Sequence, residues 1–280
     1  MEIQELRLEG VQYPELLREI FDPPQVLYAW GNLKILERPL CAVVGTRRTS
    51  AYGETQAFRF AQELSEHGVC IVSGLAYGID KAAHLGALEG EGGTVAVVAQ
   101  GIEDLQPTSH RELAKKIVEK GGLILSEKEG GEEYFKSDYL VRNRIIAGLC
   151  RGTLVIEAPF KSGARNTAKH ALDYGRELMA LPGRVTDANS EGTNALIRAG
   201  AELVTCPREV AETLKVAWTW RQVILEGLAS EVFAELRKAP RSPAELGEKF
   251  EALGELYLVL GELELRGLIR LTREQRYAVV

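Results

Sequence analysis

The chain is 280 residues long, with 45% hydrophobic and 26% charged residues, so it can bury a substantial core and has room for a large domain plus a small one. No stretch approaches the roughly 20 apolar residues that a membrane span needs, and the first residues lack the pattern of a signal peptide. The formal net charge of −6 argues mildly against nucleic acid as a partner, unless the cations are clustered.

The residue types that most often bind metals are scattered along the chain. The cysteines show no C-x-x-C spacing, and the histidines show neither H-x-x-x-H nor H-E-x-x-H spacing. We therefore expect reduced thiols in a cytoplasmic protein and no metal site; the residues concerned are Cys41, Cys70, Cys150, Cys206, His67, His84, His110 and His170. Neither G-x-G-x-x-G nor G-x-x-x-x-G-K-[ST] occurs, so no cofactor is predicted.

Two patterns divide the first 214 residues. Residues 1–38 are broken by several Pro and Gly residues into short amphipathic pieces, which predicts a segment packed on the main domain. From residue 39 to 214, near-continuous apolar runs alternate with segments of helical period, which predicts a doubly wound, mostly parallel α/β sheet covered on both faces. The predicted strands are CAVVG, VCIVSG, TVAVVAQG, LILSE, TLVIEA, ELMALPG and AELVT, and the predicted helices cover residues 54–67, 80–88, 109–120, 166–174 and 193–199.

The C-terminal segment, residues 218–280, has a different pattern. WRQVILEGLASEVFAELRKAP, RSPAELGEKF and GELYLVLGELELRGL each predict a helix, and LIRLTREQRYAVV predicts a short two-stranded ribbon. Three helices and a ribbon indicate a small winged-helix-like domain. Its third helix carries Glu255, Glu262 and Glu264 where a DNA-reading helix would carry Arg, Asn or Gln, so we favour protein contact or a structural role.

The loops at the carboxyl ends of the predicted strands are where an α/β sheet binds ligands. These loops place Gly beside Ser, Thr or a basic residue at a predicted helix start, where backbone N–H groups and the helix dipole can receive phosphate oxygens. They read VVGTRRTSAYG, VSGLAYGID, VAQGIED, IEAPFKSGARNT and LPGRVTDANSEGTN. Tight turns use Gly in any case, but several such loops together predict an anion-binding crevice.

No catalytic set is recognisable in the sequence. Ser73 and Ser162 precede Gly but lie outside a G-x-S-x-G motif, and no histidine can be placed beside them. Helix capping or contact with an anion is the simpler interpretation of both serines, and helix capping also accounts for Asp80. The residues therefore favour no class of enzyme.

The stretch from Lys136 to His170 has a local charge of +5 inside an acidic chain. In its first part the ring of Tyr139 lies among Lys136, Arg142 and Arg144, and a ring among cations is typical of single-strand binding by base stacking and phosphate contacts. An ordinary half-buried tyrosine and a surface array of ion pairs would leave the same pattern. In its second part K-S-G-A-R, residues 161–165, adds cations and a possible backbone nest, or forms a solvated basic loop.

Several of these motifs together resemble the DNA-processing protein A (DprA/Smf) family from about Tyr13 to Ala201. The motifs are VVGTRRTSAYG, IVSGLAYGIDKAAHLGAL, RNRIIAGL, VIEAPFKSGARNTA, LPG and GTNALIRAGA. The resemblance implies an extended Rossmann-like domain that binds single-stranded DNA without sequence preference and forms a homodimer. It also implies loading of the RecA recombinase during natural transformation, with no catalysis.

Site residues carried over from the family by position are expected to line one DNA-binding surface. Phosphate contact is implied for Arg47, with Ser73, Gly74 and Gly101 in the same pocket, and base stacking is implied for Tyr139. The sugar–phosphate backbone of the DNA is expected to run along Lys136, Arg142, Asn143 and Arg144. A nest of N–H groups is implied at Ser162 and Gly163, with the cations Lys161 and Arg165 beside it.

Two departures from the family pattern concern the same surface. The usual F-P-x-R-N-R reads YLVRNR, so Leu140 removes a proline constraint, and S-G-S-L-I-T reads SGARNT, so Arg165 adds a cation. The alternative from another class is a nucleotide enzyme similar to the lysine-decarboxylase-like (LOG) phosphoribohydrolases, which use a catalytic Glu in P-G-G-x-G-T-x-x-E. Here the comparable loop, SGARNTAKH, has His170 and no carboxylate.

Overall fold

A computed structural model describes residues 2–218, 227–250, 253–265, 268–272 and 274–279. It divides the chain into two compact units, Met1–Thr219 and Trp220–Val280. Within the described residues, no helix is both long and apolar enough to cross a membrane.

The first unit is built on a nine-stranded sheet with the strand order β1-β2-β6-β5-β4-β3-β7-β8-β9. β3 to β9 pair in parallel, whereas β1 and β2 form an antiparallel edge beside β6. The strands are β1 Gln4–Arg7, β2 Val26–Gly31, β3 Leu40–Val44, β4 Cys70–Ser73, β5 Thr94–Val98, β6 Leu123–Ser126, β7 Gly152–Val155, β8 Glu177–Ala180 and β9 Glu202–Leu203. The order reverses between β3 and β7, which makes their carboxyl ends the switch point where ligands bind in such sheets.

Eight helices of the first unit lie along both faces of this sheet. They are α1 Glu15–Arg18, α2 Ala51–Glu66, α3 Ile79–Ala87, α4 Arg111–Glu119, α5 Asp138–Leu149, α6 Ala164–Asp173, α7 Glu191–Arg198 and α8 Pro207–Thr213. Side chains of β3 alternate between two cores: Leu40, Ala42 and Val44 pack with α5 and α6, while Cys41 and Val43 pack with α2 and α3. This two-residue alternation explains why the strands are apolar throughout.

The predicted doubly wound, mostly parallel fold is confirmed, and the five helices predicted between residues 54 and 199 match observed ones to within three residues at each end. Two differences stand out. The sequence does not predict β1, because this short edge strand buries only Leu6 and leaves no apolar run, nor β2, because Pro23, Pro24 and Gly31 mark it as one of several short pieces. The region after Lys136, for which no element is predicted, enters α5 at Asp138, so Tyr139 and Leu140 lie in the first helical turn.

The second unit contains α9 Gly227–Leu236, α10 Pro243–Gly247, α11 Leu253–Leu265 and an antiparallel pair, β10 Ile269–Leu271 and β11 Tyr277–Val279. Its core is a separate cluster that includes Val232, Leu236 and Leu260. Ser242 caps α10 in a capping box with Glu245, as the Ser-Pro start predicts. Positions 220–226 of the predicted first helix lie outside the described residues, and the winged-helix assignment remains a prediction.

Candidate functional site

An open crevice of ≈ 360 Å³ lies at the carboxyl ends of β3 and β7, where the strand order reverses. Most of its lining comes from the loop after β3 (residues 45–48), the loop after β7 (residues 159–163) and α5 (residues 139–146), and Ala76, Asp80, Ala164 and Thr167 also line it. The predicted crevice therefore exists, and it combines the first, second and fourth of the predicted loops with the start of the basic stretch.

Arg47 and Tyr139 meet at the mouth of the crevice. The guanidinium of Arg47 lies 4.8 Å from the centroid of the Tyr139 ring, in cation–π geometry, and the Arg47 side chain is exposed. Tyr139 is half-buried, and burial raises the pKa of its hydroxyl, so the ring is neutral at physiological pH. The Arg47 guanidinium thus covers one face of the half-buried Tyr139 ring at the mouth of the crevice.

The loop after β7 contributes exposed charge and a helix start. Lys161 is exposed and lines the crevice together with Ser162 and Gly163. The Ser162 hydroxyl accepts from the backbone N–H of Ala164 at 3.3 Å, and a Cβ at Gly163 would meet no atom within 4 Å. Ser162 is thus not the N-cap of α6, which is Gly163; its hydroxyl closes the turn that leads into the helix, and α6 begins directly on the crevice.

Arg165, the added cation, is engaged by its own loop. Its Nη1 donates to the Phe160 carbonyl at 2.7 Å, and its guanidinium lies 4.5 Å from the centroid of the Phe160 ring. It does not line the crevice. Leu140, the other departure, is an exposed lining residue in the first turn of α5, where a proline would also fit a helix.

Arg142 lies at the bottom of the crevice, and its guanidinium is hydrogen-bonded to backbone carbonyls of the protein. It is 5% exposed, and its Nη1 donates to the carbonyls of Gly74, at 2.8 Å, and Val97. Burial lowers its pKa to about 10, an effect that Asp80 partly opposes. A Cβ at Gly74 would overlap the Arg142 guanidinium, so only glycine lets the loop after β4 come this close.

Asp80 holds the loop after β4 from the other side. Its Oδ2 accepts from the backbone N–H groups of Gly74, at 3.1 Å, and Ala76, at 3.4 Å. Burial raises the pKa of this carboxyl, and Arg142 acts in the opposite direction. Asp80 therefore caps the loop that precedes α3 and leaves the helix N-terminus itself to Gly78.

Glu157 anchors the loop after β3. Its buried carboxylate accepts from the Thr49 hydroxyl at 3.0 Å, from the backbone N–H of Ser50 at 3.0 Å, from the Ser50 hydroxyl and from the Asn189 amide at 3.3 Å. Its own carbonyl accepts from the backbone N–H of Thr46 at 2.8 Å. One residue at the end of β7 thus fixes the course of the chain on both sides of Arg47.

The contrast between engaged and exposed groups gives the site two parts. We call the Gly74–Ala76 loop, Asp80, Arg142 and Glu157 the floor, because their polar groups are paired within the protein. We call Arg47, Tyr139 and Lys161 the rim, because these side chains face the opening.

Three predicted site residues lie elsewhere. Ser73 is fully buried and donates to the Val43 carbonyl at 2.7 Å, and Gly101 is buried against the backbone of Glu129. Arg144 is 8% exposed, and its guanidinium bonds Asp22 at 3.0 Å and Glu127 at 2.6 Å, which ties the N-terminal segment to the end of β6. None of the three lines the crevice.

Of two other predicted residues, one lines the crevice and the other does not. Asn143 lines the crevice and donates through its side-chain amide to the Gly163 carbonyl at 3.4 Å and to the Asn166 oxygen at 3.2 Å, which links α5 to α6. Lys136 is exposed three residues before Tyr139, outside the lining residues.

Sequence reasoning missed the anchoring role of Glu157 and an aromatic groove beside the crevice. The groove, ≈ 220 Å³, is lined by Tyr77, Tyr134 and Tyr139 together with Arg47 and Gly74. Position could have identified Glu157, since it is a charged residue at the carboxyl end of the predicted strand TLVIEA, at the switch point. The groove had no comparable signal, because Tyr77 and Tyr134 come from loops far apart in sequence.

A family model described as DNA recombination-mediator protein A matches residues 6–215. DNA processing protein DprA of Streptococcus pneumoniae is 43% identical over 198 residues, covering 71% of this chain and 70% of that protein. Protein Smf of Escherichia coli is 42% identical over 208 residues, covering 74% of this chain but only 56% of that protein.

Two solved structures share the fold. The X-ray structure of DprA from Streptococcus pneumoniae gives a TM-score of 0.72 at 40% identity and covers 76% of this chain and 74% of that one. A structure of DNA processing protein A from Helicobacter pylori, described for its single-stranded DNA binding mode, gives 0.69 at 32% identity and covers 77% and 96%. The family match ends at residue 215, so it does not extend into the second unit.

Proposed function

The chain belongs to the DNA recombination-mediator protein A family, which confirms the resemblance seen in its motifs, and from this membership we propose that it binds single-stranded DNA in the crevice at the switch point. The Helicobacter pylori relative, 32% identical, is described as binding single-stranded DNA. Phosphates are held by Arg47 and Lys161 and by the backbone around Ser162 and Gly163, and a base stacks on Tyr139.

The observation that carries the proposal is the rim itself. Three exposed cations from two separate loops, Arg47 and Arg48 from one and Lys161 from the other, line one crevice with an aromatic ring at its mouth. Cations positioned along a groove with a ring between them are what non-specific single-strand binding needs, since every base has a π-face and every nucleotide a phosphate. Lys136 extends the same positive surface along the strand's path.

The floor has a supporting part in the proposal. Arg142 contributes positive potential from below, while Gly74 and Asn143 keep the loop after β4 and the start of α6 in place. Ser73, Gly101 and Arg144 have no proposed contact with DNA, because their polar groups or surroundings are already occupied by protein. Arg165 acts by shaping the loop after β7.

Binding without a chemical step is the favoured activity. A phosphoribohydrolase would need a carboxylate directed at its substrate, and the two carboxylates of the floor are engaged elsewhere. Glu157 accepts bonds from three residues, and Asp80 accepts from two backbone N–H groups. Both therefore serve the shape of the site.

The wider role that we propose is supported by family membership. The protein acts in the cytoplasm as a homodimer through the Rossmann-like domain, protects incoming single strands and loads the RecA recombinase on them during natural transformation. The relatives named DNA processing proteins support this role at 43% and lower identity.

A mobility-shift comparison of single- and double-stranded oligonucleotides of one sequence tests the proposal, with nucleoside monophosphate hydrolysis assayed on the same preparation. We expect strand-selective binding without release of free base. The Arg47→Ala/Lys161→Ala double variant should lose the shift, while Arg208→Ala, an exposed cation on α8, should bind like the wild type. Equal binding to duplex contradicts the proposal, and release of free base favours the phosphoribohydrolase.

A further inference from the structure

The loop after β4 is held by four titratable side chains. The N–H groups of Gly74 and Ala76 bond Asp80, and the Gly74 carbonyl bonds Arg142. Leu75, between them, donates its N–H to His84 Nε2 at 3.3 Å and accepts at its carbonyl from His110 Nδ1 at 2.8 Å. Asp80 and Arg142 belong to the crevice already described, whereas the two histidines have no part in it so far.

Leu75 is held in an unusual conformation. Its φ is +57°, in the left-handed region that disfavours residues with a Cβ, and its side chain is 1% exposed in the core beneath α4. A strained residue of this kind persists only where its surroundings over-determine it. Here two imidazoles form hydrogen bonds with the backbone N–H and the carbonyl of Leu75.

The hydrogen bonds fix the tautomer of His84. Thr94 Oγ1 donates to the Ile71 carbonyl at 2.7 Å, so it can only accept from His84 Nδ1, which lies 2.7 Å away. His84 Nε2 therefore carries no proton and accepts from Leu75. The two histidines have complementary roles: His84 offers an acceptor and His110 a donor.

The position of Leu75 matters for the crevice because its neighbours form part of it. Gly74 precedes Leu75 and rests against the Arg142 guanidinium, and Ala76 follows Leu75 and lines the crevice. Gly74 also lines the aromatic groove with Tyr139 and Arg47. A displacement of the Leu75 peptide would move both neighbours, and with them Arg142.

We propose that His84 and His110 are positioning residues for the single-strand site, acting through the backbone of Leu75. The inference deepens the proposed function and depends on it. Neither imidazole touches the DNA; each keeps the loop after β4 in the conformation that seats Arg142 and shapes the crevice. Loss of either bond lowers the fraction of protein in the binding-competent conformation, and apparent affinity falls by that fraction.

Amide replacements test each bond separately, because an Asn amide mimics Nδ1 of histidine and a Gln amide mimics Nε2. His84→Gln keeps an acceptor for Leu75, whereas His84→Asn keeps only the Thr94 contact. The relation reverses at the other position: His110→Asn keeps the donor for Leu75, and His110→Gln loses it. We expect affinity for fluorescein-labelled oligo-dT to fall about five- to tenfold in His84→Asn and His110→Gln, and by about twofold or less in the other two.

Thermal melting of the same four full-length variants separates positioning from stability. All four should melt below the wild type, whereas affinity per folded molecule should follow only the bond to Leu75. Equal affinity in four folded variants overturns the inference while wild-type binding keeps the proposed function; a wild type that does not bind oligo-dT overturns the proposed function instead.

A measurement on the wild type needs no variant. NMR of ¹⁵N-labelled histidines should show His84 protonated at Nδ1 alone, and oligo-dT should shift the resonances of both His84 and His110. A proton on Nε2 of His84, or two unmoved histidines, overturns the inference even where a variant fails to fold.

Discussion

The floor and the rim of the crevice use similar residues in opposite ways. The Arg142 guanidinium donates to the carbonyls of Gly74 and Val97, and burial lowers its pKa to about 10. The Arg47 guanidinium, by contrast, is exposed and stacks on the Tyr139 ring. The charged groups of the floor are paired within the protein and hold its shape, whereas those of the rim are exposed to a ligand. Changes in the floor should therefore act mainly on folding, and on binding only through the shape of the crevice, whereas changes in the rim should act on binding itself.

The largest expected effect is a loss of stability in acid, caused by His84, which supports the floor through Leu75. Burial lowers the pKa of His84 to about 3, with smaller contributions from His110 and Arg142, while the unfolded chain keeps a pKa near 6.5. The unfolded state therefore binds more protons between these values, and stability falls as pH drops from about 6.5 to 3, by up to about 5 kcal/mol from this residue. Urea unfolding across that range should show the loss, and His84→Gln should show a shallower dependence. An unchanged slope in the variant would assign the acid sensitivity to other groups.

Removal of a buried cation should have the next largest effect. Arg142→Met breaks two bonds to backbone carbonyls and leaves Asp80 without its opposing charge, so we expect about 3 kcal/mol of destabilisation. Lys161→Met is the matched control on the rim and should change stability by less than about 0.5 kcal/mol. Urea unfolding at neutral pH measures both. Similar values for the two variants would remove the distinction between floor and rim.

Removal of the ring tests the rim without touching its charge. Tyr139→Ala should weaken single-strand binding by roughly 1 to 3 kcal/mol if a base stacks there, and Tyr139→Phe should retain most of the affinity. Fluorescence anisotropy with oligo-dT gives both values. Unchanged affinity in folded Tyr139→Ala would show that no base stacks on the ring and that Tyr139 is structural.

Salt should sharpen the role of the exposed cations. Each phosphate contact on a single strand adds about 0.7 to the slope of log affinity against log salt, so Arg47→Ala should lower that slope by about this amount. The variant should weaken oligo-dT and mixed sequences alike, because a phosphate contact carries no base information. Binding isotherms at several salt concentrations decide this. A flat salt response in the wild type, or a loss confined to one sequence, would contradict the assignment.

The parallel sheet and the switch-point crevice could be predicted because each depends on local pattern, whereas the role of Arg47 in the rim was implied by the family resemblance. Apolar runs marked the strands, and the loops that follow them carry Arg47 and Lys161. The role of Arg144 could not be read that way, because it depends on whether R-N-R is loop or helix. In α5, positions two apart are separated by about 200°, which directs Arg142 and Arg144 to different sides.

The partners of the buried groups were beyond sequence reasoning for a related reason. Arg144 meets Asp22, 122 residues away, and Ser50 meets Glu157, 107 residues away. No periodicity records such pairings, since each depends on how the sheet brings distant segments together. The same holds for the histidines at Leu75, which the lack of metal-site spacing had removed from consideration.

The bond between Ser50 and Glu157 also bears on the order in which the chain is made. During synthesis, β3 to β6 and their helices leave the ribosome before β7, so a nascent chain could assemble half of the sheet early. Its loop with Arg47 would still lack Glu157, Asn189 and the neighbouring strand. A binding-competent crevice can therefore form only late in translation, and a truncated product that ends before β7 would carry the Arg47 loop without its anchor.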